Sequence, residues 1–227
     1  MGTRTKAYFF ACLSSVICSF LLLRCQYNDY SSRPKIRIIN ASPDAPSIDF
    51  QLNKKRKAAA ISFGSASGYL DSTPGNTPIS ASPAGINYRI FYTSAVLEDN
   101  HFYTFIIDDS TKRVATNLLI DNRFVPAAGK GGIRFLHLVD NNESYDVSIG
   151  ASVIFSNRTF NDIMYSECNY EAITAGPVTL DFRLAGTSSI LFSAPGFNCG
   201  SEKLYTVVVY GSGSPGQKPG VAVYTDN

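Results

Sequence analysis

Residues 35–227 read as all-β: two tandem antiparallel β-sandwich domains that follow an N-terminal signal segment. Three observations predict this. The chain of 227 residues is rich in Tyr (13) and Phe (15) and low in charge (17%), with many Ile, Val and Thr, a composition that suits half-buried strands. Apolar residues alternate in short runs that recur every ten residues or so, each bounded by Gly, Pro, Asn, Asp or Ser. The order of these runs also repeats about 97 residues along the chain. After about 30 N-terminal residues, roughly 195 remain to fold, enough for one large β-domain or two smaller ones. A formal net charge of +2 supplies no field to gather nucleic acid, so no nucleic-acid partner is expected.

The N-terminal segment comes first. Arg4 and Lys6 precede an uncharged, largely apolar run from Ala7 to Leu23, after which polarity rises through Gln26, Asn28 and Asp29. This is the pattern of a secretory signal, and the run is short for a membrane-spanning helix. Leu22-Leu23-Arg24-Cys25 resembles a bacterial lipobox, with Arg24 where a small residue is usual. Residues 1–25 are therefore read as a signal peptide and Cys25 as the lipid attachment site, with an uncleaved signal anchor and ordinary cleavage as the alternatives. Residues 26–34 form a tether. The expected address is the cell envelope, with the chain exported and lipid-anchored to the bacterial outer membrane or cell surface. The membrane contact is this lipid or anchor.

Repeat one spans 35–122, a linker 123–132, and repeat two 133–227. Ile36-Arg37-Ile38-Ile39-Asn40 returns as Ile133-Arg134-Phe135-Leu136-His137. Ser47 to Phe50 returns as Tyr145 to Ser148, Pro74-Gly75 as Ala175-Gly176, and Phe102 to Ile107 as Leu204 to Val209. Pro126, Gly129, Gly131 and Gly132 punctuate the linker. Tyr88 to Tyr92 and Thr179 to Leu184 show period two, and no stretch beyond residue 30 sustains a helical period.

Between the first two runs lies Asn40-Ala41-Ser42-Pro43-Asp44-Ala45-Pro46, followed by Asp49. This segment resembles the hallmark of a bacterial family of domains of unknown function, whose motif is His-Ala-Ser-Pro-Asp-Ala-Pro, then an apolar residue and Asp. Asn40 stands where that family has His, and repeat two keeps a His there, His137, without the Pro-Asp-Ala-Pro core. The resemblance implies an immunoglobulin-like or prealbumin-like sandwich in secreted, lipid-anchored proteins, and no known activity. In physical terms Pro43 and Pro46 fix φ, Asp44 is placed to accept nearby backbone amides, and Asn40 or His137 sits where a strand gives way to a loop. The segment is read as a conformational staple, with a ligand-binding loop as the alternative.

Candidate chemistry is sparse. Cys168 and Cys199 are the only cysteines in the folding part, and an oxidising compartment favours one bridge between them. Closing that loop is worth about 3 kcal/mol; two free buried thiols are the alternative. No zinc site is expected, because His101 and His137 are the only histidines and neither is near these cysteines in sequence. Gly64 to Gly68 imitates a nucleophile elbow, but Ala66 occupies the nucleophile position. His101 reads as a turn residue, and neither histidine has an evident nucleophile and carboxylate beside it. Asp108-Asp109 and Asp140 to Glu143 lack the spacing of an EF-hand. No catalytic residue, metal or cofactor is expected.

Two surface features stand out. Lys54-Lys55-Arg56-Lys57 falls between two predicted strands and reads as a hairpin tip, or as a surface for lipid headgroups or a polyanionic glycan. Tyr88, Tyr92, Tyr103, Tyr205 and Tyr210 fall on predicted strands, where they cover core edges or form a sugar-stacking face. The expected function is a non-catalytic envelope module that binds an envelope protein or glycan, or plays a structural part. Binding is expected in inter-strand loops such as Phe63 to Pro74 or at the domain junction. The competing expectation is an envelope hydrolase acting on glycans or peptides.

Overall fold

Alternation of Ile, Phe and Val with smaller polar residues makes most of the chain extended. The computed structural model describes residues 32–45, 47–108, 115–162, 169–194, 196–211, 213 and 218–226. The signal segment, with Cys25, lies outside the described residues. Among those residues no helix is long and apolar enough to cross a membrane. The first half contains β1 (Lys35–Asn40), β2 (Ser47–Leu52), β3 (Lys55–Ser62), β4 (Ser65–Ala66), β5 (Leu70–Asp71), β6 (Gly75–Pro83), β7 (Phe91–Leu97), β8 (Phe102–Asp108) and β9 (Ala115–Ile120). The second contains β10 (Lys130–Val139), β11 (Tyr145–Ile149), β12 (Ser152–Arg158), β13 (Glu171–Thr174), β14 (Gly176–Val178), β15 (Asp181–Leu184), β16 (Ile190–Ser193), β17 (Phe197–Cys199), β18 (Leu204–Gly211) and β19 (Gly220–Thr225). The strand β10 thus begins inside the expected linker, at Lys130.

Each half has an inner and an outer sheet. The inner sheets run β4-β1-β8-β9, with β5 also on β1, and β13-β10-β18-β19. The outer sheets run β3-β2-β6-β7 and β12-β11-β15-β16. The long hairpin β6–β7 has a broken counterpart, in which β15 pairs β16 and β14 pairs β17. Turn chemistry fixes these hairpins locally. Asn53 and Lys54 both take positive φ (51° and 63°) between β2 and β3, the geometry of a type I′ turn.

The sandwich is not wholly antiparallel. β1 runs parallel to β8, from Lys35 opposite Phe102 to Asn40 opposite Ile107, and β10 runs parallel to β18. The long excursion through the outer sheet that separates these strands makes a parallel return possible, where a tight hairpin would force an antiparallel one.

Each half packs its own core. In the first, Ile36, Ile38, Ile48, Phe50, Ile79 and Phe105 meet between the sheets; in the second, Ile133, Phe135, Val147, Phe182, Val207 and Val209 do so. A third apolar cluster, made by Ile39, Ala41 and Ile106 with Leu136, Leu138 and Val208, lies where the two inner sheets face each other. Each large aliphatic chain buried there contributes about 1.5–3 kcal/mol. Both faces of the inner strands are therefore covered, and residues from Ser32 onward form one compact unit.

Beside this apolar patch the two halves exchange charges. Arg37 on β1 and Arg134 on β10 are 2% and 0% exposed. Arg37 Nη1 pairs with Asp226 Oδ1 at 2.7 Å, and Arg134 Nη2 with Asp121 Oδ1 at 2.6 Å, so each guanidinium reaches a carboxylate of the opposite half. Arg37 donates through Nε to Thr104 Oγ1 (2.9 Å) and through Nη2 to Thr206 Oγ1 (2.8 Å). Arg134 donates through Nε to Thr206 (2.8 Å) and through Nη2 to Thr104 (3.1 Å). Each Thr donates in turn to the Asp of its own half, as do Tyr69 to Asp121 (2.7 Å) and Tyr170 to Asp226 (2.6 Å). Two cations and two anions cancel inside this network. Burial alone would lower the pKa of Arg134; the fields of Asp121, Tyr170 and Asp226 outweigh it and hold the guanidinium charged.

Candidate functional site

The loop after β1 is fastened by Asn40. Its Nδ2 donates to the carbonyls of Ala45 (2.8 Å) and Ile61 (3.0 Å), and its Oδ1 accepts from the amide of Ser42 (3.3 Å). Ser42 is buried in this loop and Pro43 is half-buried. Asp44, expected to accept backbone amides, is instead exposed and makes no hydrogen bond among the described residues. The turn closes through the amide of Ala45 on the Ser42 carbonyl (3.2 Å), so no carboxylate is needed there. Pro46 lies outside the described residues.

His137 holds the same place in the second half. Its Nδ1 accepts from the amide of Val139 (3.3 Å), two residues on, as Asn40 does from Ser42. The ring is fully buried and stacked on Tyr145 at 4.3 Å. Nε2 has no hydrogen-bond partner among the described residues. Burial is the main reason its pKa falls to about 4, against a weaker opposing pull from Asp162.

A histidine whose pKa is lower folded than unfolded binds its proton more readily in the unfolded chain. Its contribution is therefore whole above pH ~6.5 and declines as pH drops toward 4. From pH 7 to pH 5 the expected loss is about 2 kcal/mol. The check is the urea midpoint at both pH values, and His137→Asn, which installs the residue found at position 40, should flatten the difference. An unchanged pH dependence in that variant would contradict the assignment.

Asp49 is a second fastening. Its Oδ1 accepts from the amide of Ala60 (2.9 Å), and its Oδ2 from the amide of Gly85 (3.3 Å) and from Arg56 Nη1 (3.1 Å). The Ala60 amide is the largest of the influences that hold this carboxyl below its usual pKa, with Gly85 and Arg56 adding to it against desolvation. Ala60 takes a positive φ of 52° where the β2–β3 register shifts, so the carboxylate stabilises a strained bulge. Asp146 does the same in the second half for Asn157 (φ 50°) and Gly186. The aspartate that ends the motif therefore has a structural role in each half.

The remaining expected residues do not assemble into a reactive centre. His101 bonds the Asp99 carbonyl through Nδ1 (2.9 Å) and lies on the surface beside Glu98. Cys199 carries a free, buried thiol, and the partner expected for it is not among the described residues. Its Sγ rests where Gly131 has no side chain, since a Cβ there would come within 2.3 Å, and burial raises its pKa. Cys168 lies outside the described residues. No group of three His, Cys, Asp or Glu among the described residues is placed to hold a metal.

A recess opens instead at the junction of the halves. Pro43 and Phe63 of the first half and Val139, Tyr210, Lys218 and Pro219 of the second line a cleft of about 360 Å³. Phe63 meets Tyr210 edge to face at 4.9 Å. The Tyr210 ring lies close against Gly64 and Gly220, where added Cβ atoms would come within 2.3 and 2.4 Å of it. Tyr224 Oη donates to the Gly64 carbonyl (2.8 Å), a further tie between the halves. The motif loop and the Phe63 turn thus meet the second half here, a meeting that adjacent residues in sequence do not reveal.

The expected row of strand tyrosines is not one face. Tyr103 and Tyr205 are buried, and each accepts a turn amide, from Glu98 and Gly200 respectively, both at 2.9 Å. Tyr210 belongs to the junction. Tyr88 lies in the loop before β7, and it and Tyr92 are exposed, at 69% and 57%.

The fold and these sites define an all-β sandwich protein with a cleft between its halves. The chain belongs to the family described as "Domain of unknown function (DUF4397)", whose model matches residues 34–148. No curated protein matches it. Among solved structures it is similar to the family 26 carbohydrate-binding module of Amy13K from Eubacterium rectale, solved with maltoheptaose, at 9% identity over 85% of this chain and 97% of that one, with a TM-score of 0.28. It is also similar to an α-glucan-binding streptococcal virulence factor, at 9% identity over 77% and 92% of the two chains, with a TM-score of 0.25. These likenesses are too slight to bear on ligand or chemistry.

Proposed function

We propose that this chain is a non-catalytic binding module of the cell envelope, a lipoprotein held at Cys25. In this reading its two tandem sandwich copies are locked face to face and its ligand, a glycan or a segment of an envelope protein, binds in the junction cleft. The observation that carries it is the meeting of Pro43 and Phe63 with Tyr210 and Lys218 around a recess of about 360 Å³. That volume falls within the range of small-ligand sites, and its aromatic walls with one cation on the rim suit a ligand with both apolar and polar faces. The contacts of Phe63 with Tyr210 and of Gly64 with Tyr224 across the junction support a preformed cleft, which lowers the entropy lost on binding. His137, buried and neutral, and His101, bonded to a turn carbonyl, support a non-catalytic role.

The test is a glycan array and an envelope pull-down with the full chain and with Lys218→Glu. The wild type is expected to retain a ligand that the variant holds about tenfold more weakly. A ligand held equally by both, or turnover of a glycan or peptide, would count against the reading. Mass spectrometry of the mature N-terminus should find an acylated Cys25.

A further inference from the structure

The outer sheet of the first half carries a second surface, remote in role from the junction cleft. Strand register places Arg56, Gln51, Ser80 and Tyr92 directly opposite one another across β3, β2, β6 and β7. Residues opposite one another share a face, and three inter-strand steps make a row of about 15 Å. Gln51, Ser80 and Tyr92 line a groove of about 300 Å³ together with Lys54, Asn87 and Arg89.

The chemistry along this row is ordered. Tyr92 offers an exposed ring, and the Arg89 guanidinium lies over it at 5.3 Å, which orients its fork of donors. Gln51 and Asn87 supply amide groups, and the buried Ser80 hydroxyl donates to Gln51 Oε1 (3.4 Å) and orients that amide. Lys54 and Arg56 add cations toward the β2–β3 turn. Asp49, the carboxylate beside Arg56, is already bonded by two amides and that guanidinium. Arg56 is thus neutralised by Asp49, and the groove has the positive charge of Lys54 and Arg89, hydrogen-bonding groups and an aromatic platform in one extended surface.

The second half shows that this is not a by-product of the fold. There the corresponding row is Val153, Ser148, Asp181 and Ser193. It satisfies itself: Ser193 donates to Asp181 (2.6 Å) and Arg183 to Ser148 (3.1 Å). The same four positions carry a carboxylate and no aromatic ring.

We infer that the groove between Lys54 and Tyr92 binds an acidic polysaccharide, with sugar carboxylates on Arg89 and Lys54 and a ring face against Tyr92. Charge complementarity selects the acid, and the combination of aromatic and amide groups selects a sugar chain over a bare anionic surface.

The test is calorimetric titration of the full chain at low ionic strength with three probes: oligogalacturonate, maltoheptaose and phosphatidylglycerol vesicles. Oligogalacturonate is expected to bind at least about tenfold more tightly than maltoheptaose, and Arg89→Ala and Tyr92→Ala should each weaken it about tenfold. Lys203→Ala, which removes an equal charge from an exposed position in the second half, should stay within about twofold. Equal affinity for acidic and neutral oligosaccharides, no affinity for the acidic one, or unchanged affinity in both groove variants would overturn the inference. So would binding to the vesicles without binding to oligogalacturonate.

Discussion

Arg134→Ala is expected to destabilise the protein by about 3–5 kcal/mol, because it leaves Asp121 buried without its cation. The same substitution removes one of the two guanidinium donors that Thr104 and Thr206 each accept. Equilibrium urea unfolding measures it. Arg37→Ala should act similarly through Asp226, and the double variant should lose less than the sum of the two, because the pairs form one network. Replacing both arginines and both aspartates by Met and Leu, with Thr104 and Thr206 changed to Val and Tyr69 and Tyr170 to Phe so that no hydroxyl loses its acceptor, should recover most of the loss, since a well-packed apolar set often matches a buried ion network. If Arg134→Ala shifted the midpoint no more than an exposed substitution such as Lys203→Ala, the network would not be what joins the halves.

Gly64→Ala is expected to cost about 3 kcal/mol, from two sources. A side chain at φ +72° costs about 1–2 kcal/mol, and a Cβ within 2.3 Å of the Tyr210 ring adds an overpacking penalty of about 1–3 kcal/mol. Gly85 separates these terms, since it has a φ of +73° with nothing near its missing Cβ. Gly85→Ala should therefore show only the backbone part, about 1–2 kcal/mol. Tyr210→Ala placed in the Gly64→Ala background should relieve the steric part, a favourable coupling between residues of opposite halves. Equal losses at Gly64 and Gly85 would mean that Tyr210 does not press on the first half.

Much of the local structure was legible. Matched apolar runs located β1, β2, β8, β10 and β18, and the near-continuous apolar character of β1, β8, β10 and β18 fits strands covered on both faces. Asn40 and His137, matched to each other in the sequence, each accept from the amide two residues on. Glycines at 75 and 176 marked the starts of two matched strands, where positive φ favours them. Asp44 misled because an aspartate in a Pro-containing turn has a general preference for backbone amides, and here the main chain closes the turn by itself. Tyr88 misled because alternation continued by accident past the start of β7 at Phe91.

The candidate sites were harder to read. Pro43 and Phe63 reach Tyr210 and Lys218 only when the two halves pack together. Lys54 and Arg56 were visible as part of a charge run, and Tyr92 as a strand tyrosine. Their alignment through Gln51 and Ser80 depends on the register of three strand pairs, and register is a property of the pairing.

The sequence alone determined the strand-forming character of the chain, its turns and its internal recurrence, because these follow from neighbouring residues and their φ, ψ preferences. Tertiary structure decided which faces are buried. Arg37 and Arg134 look like outward residues of half-exposed strands until a second sheet covers them, and Arg37 finds one partner 169 positions away. Burial and charge pairing at that distance are set by three-dimensional packing, which no local pattern encodes.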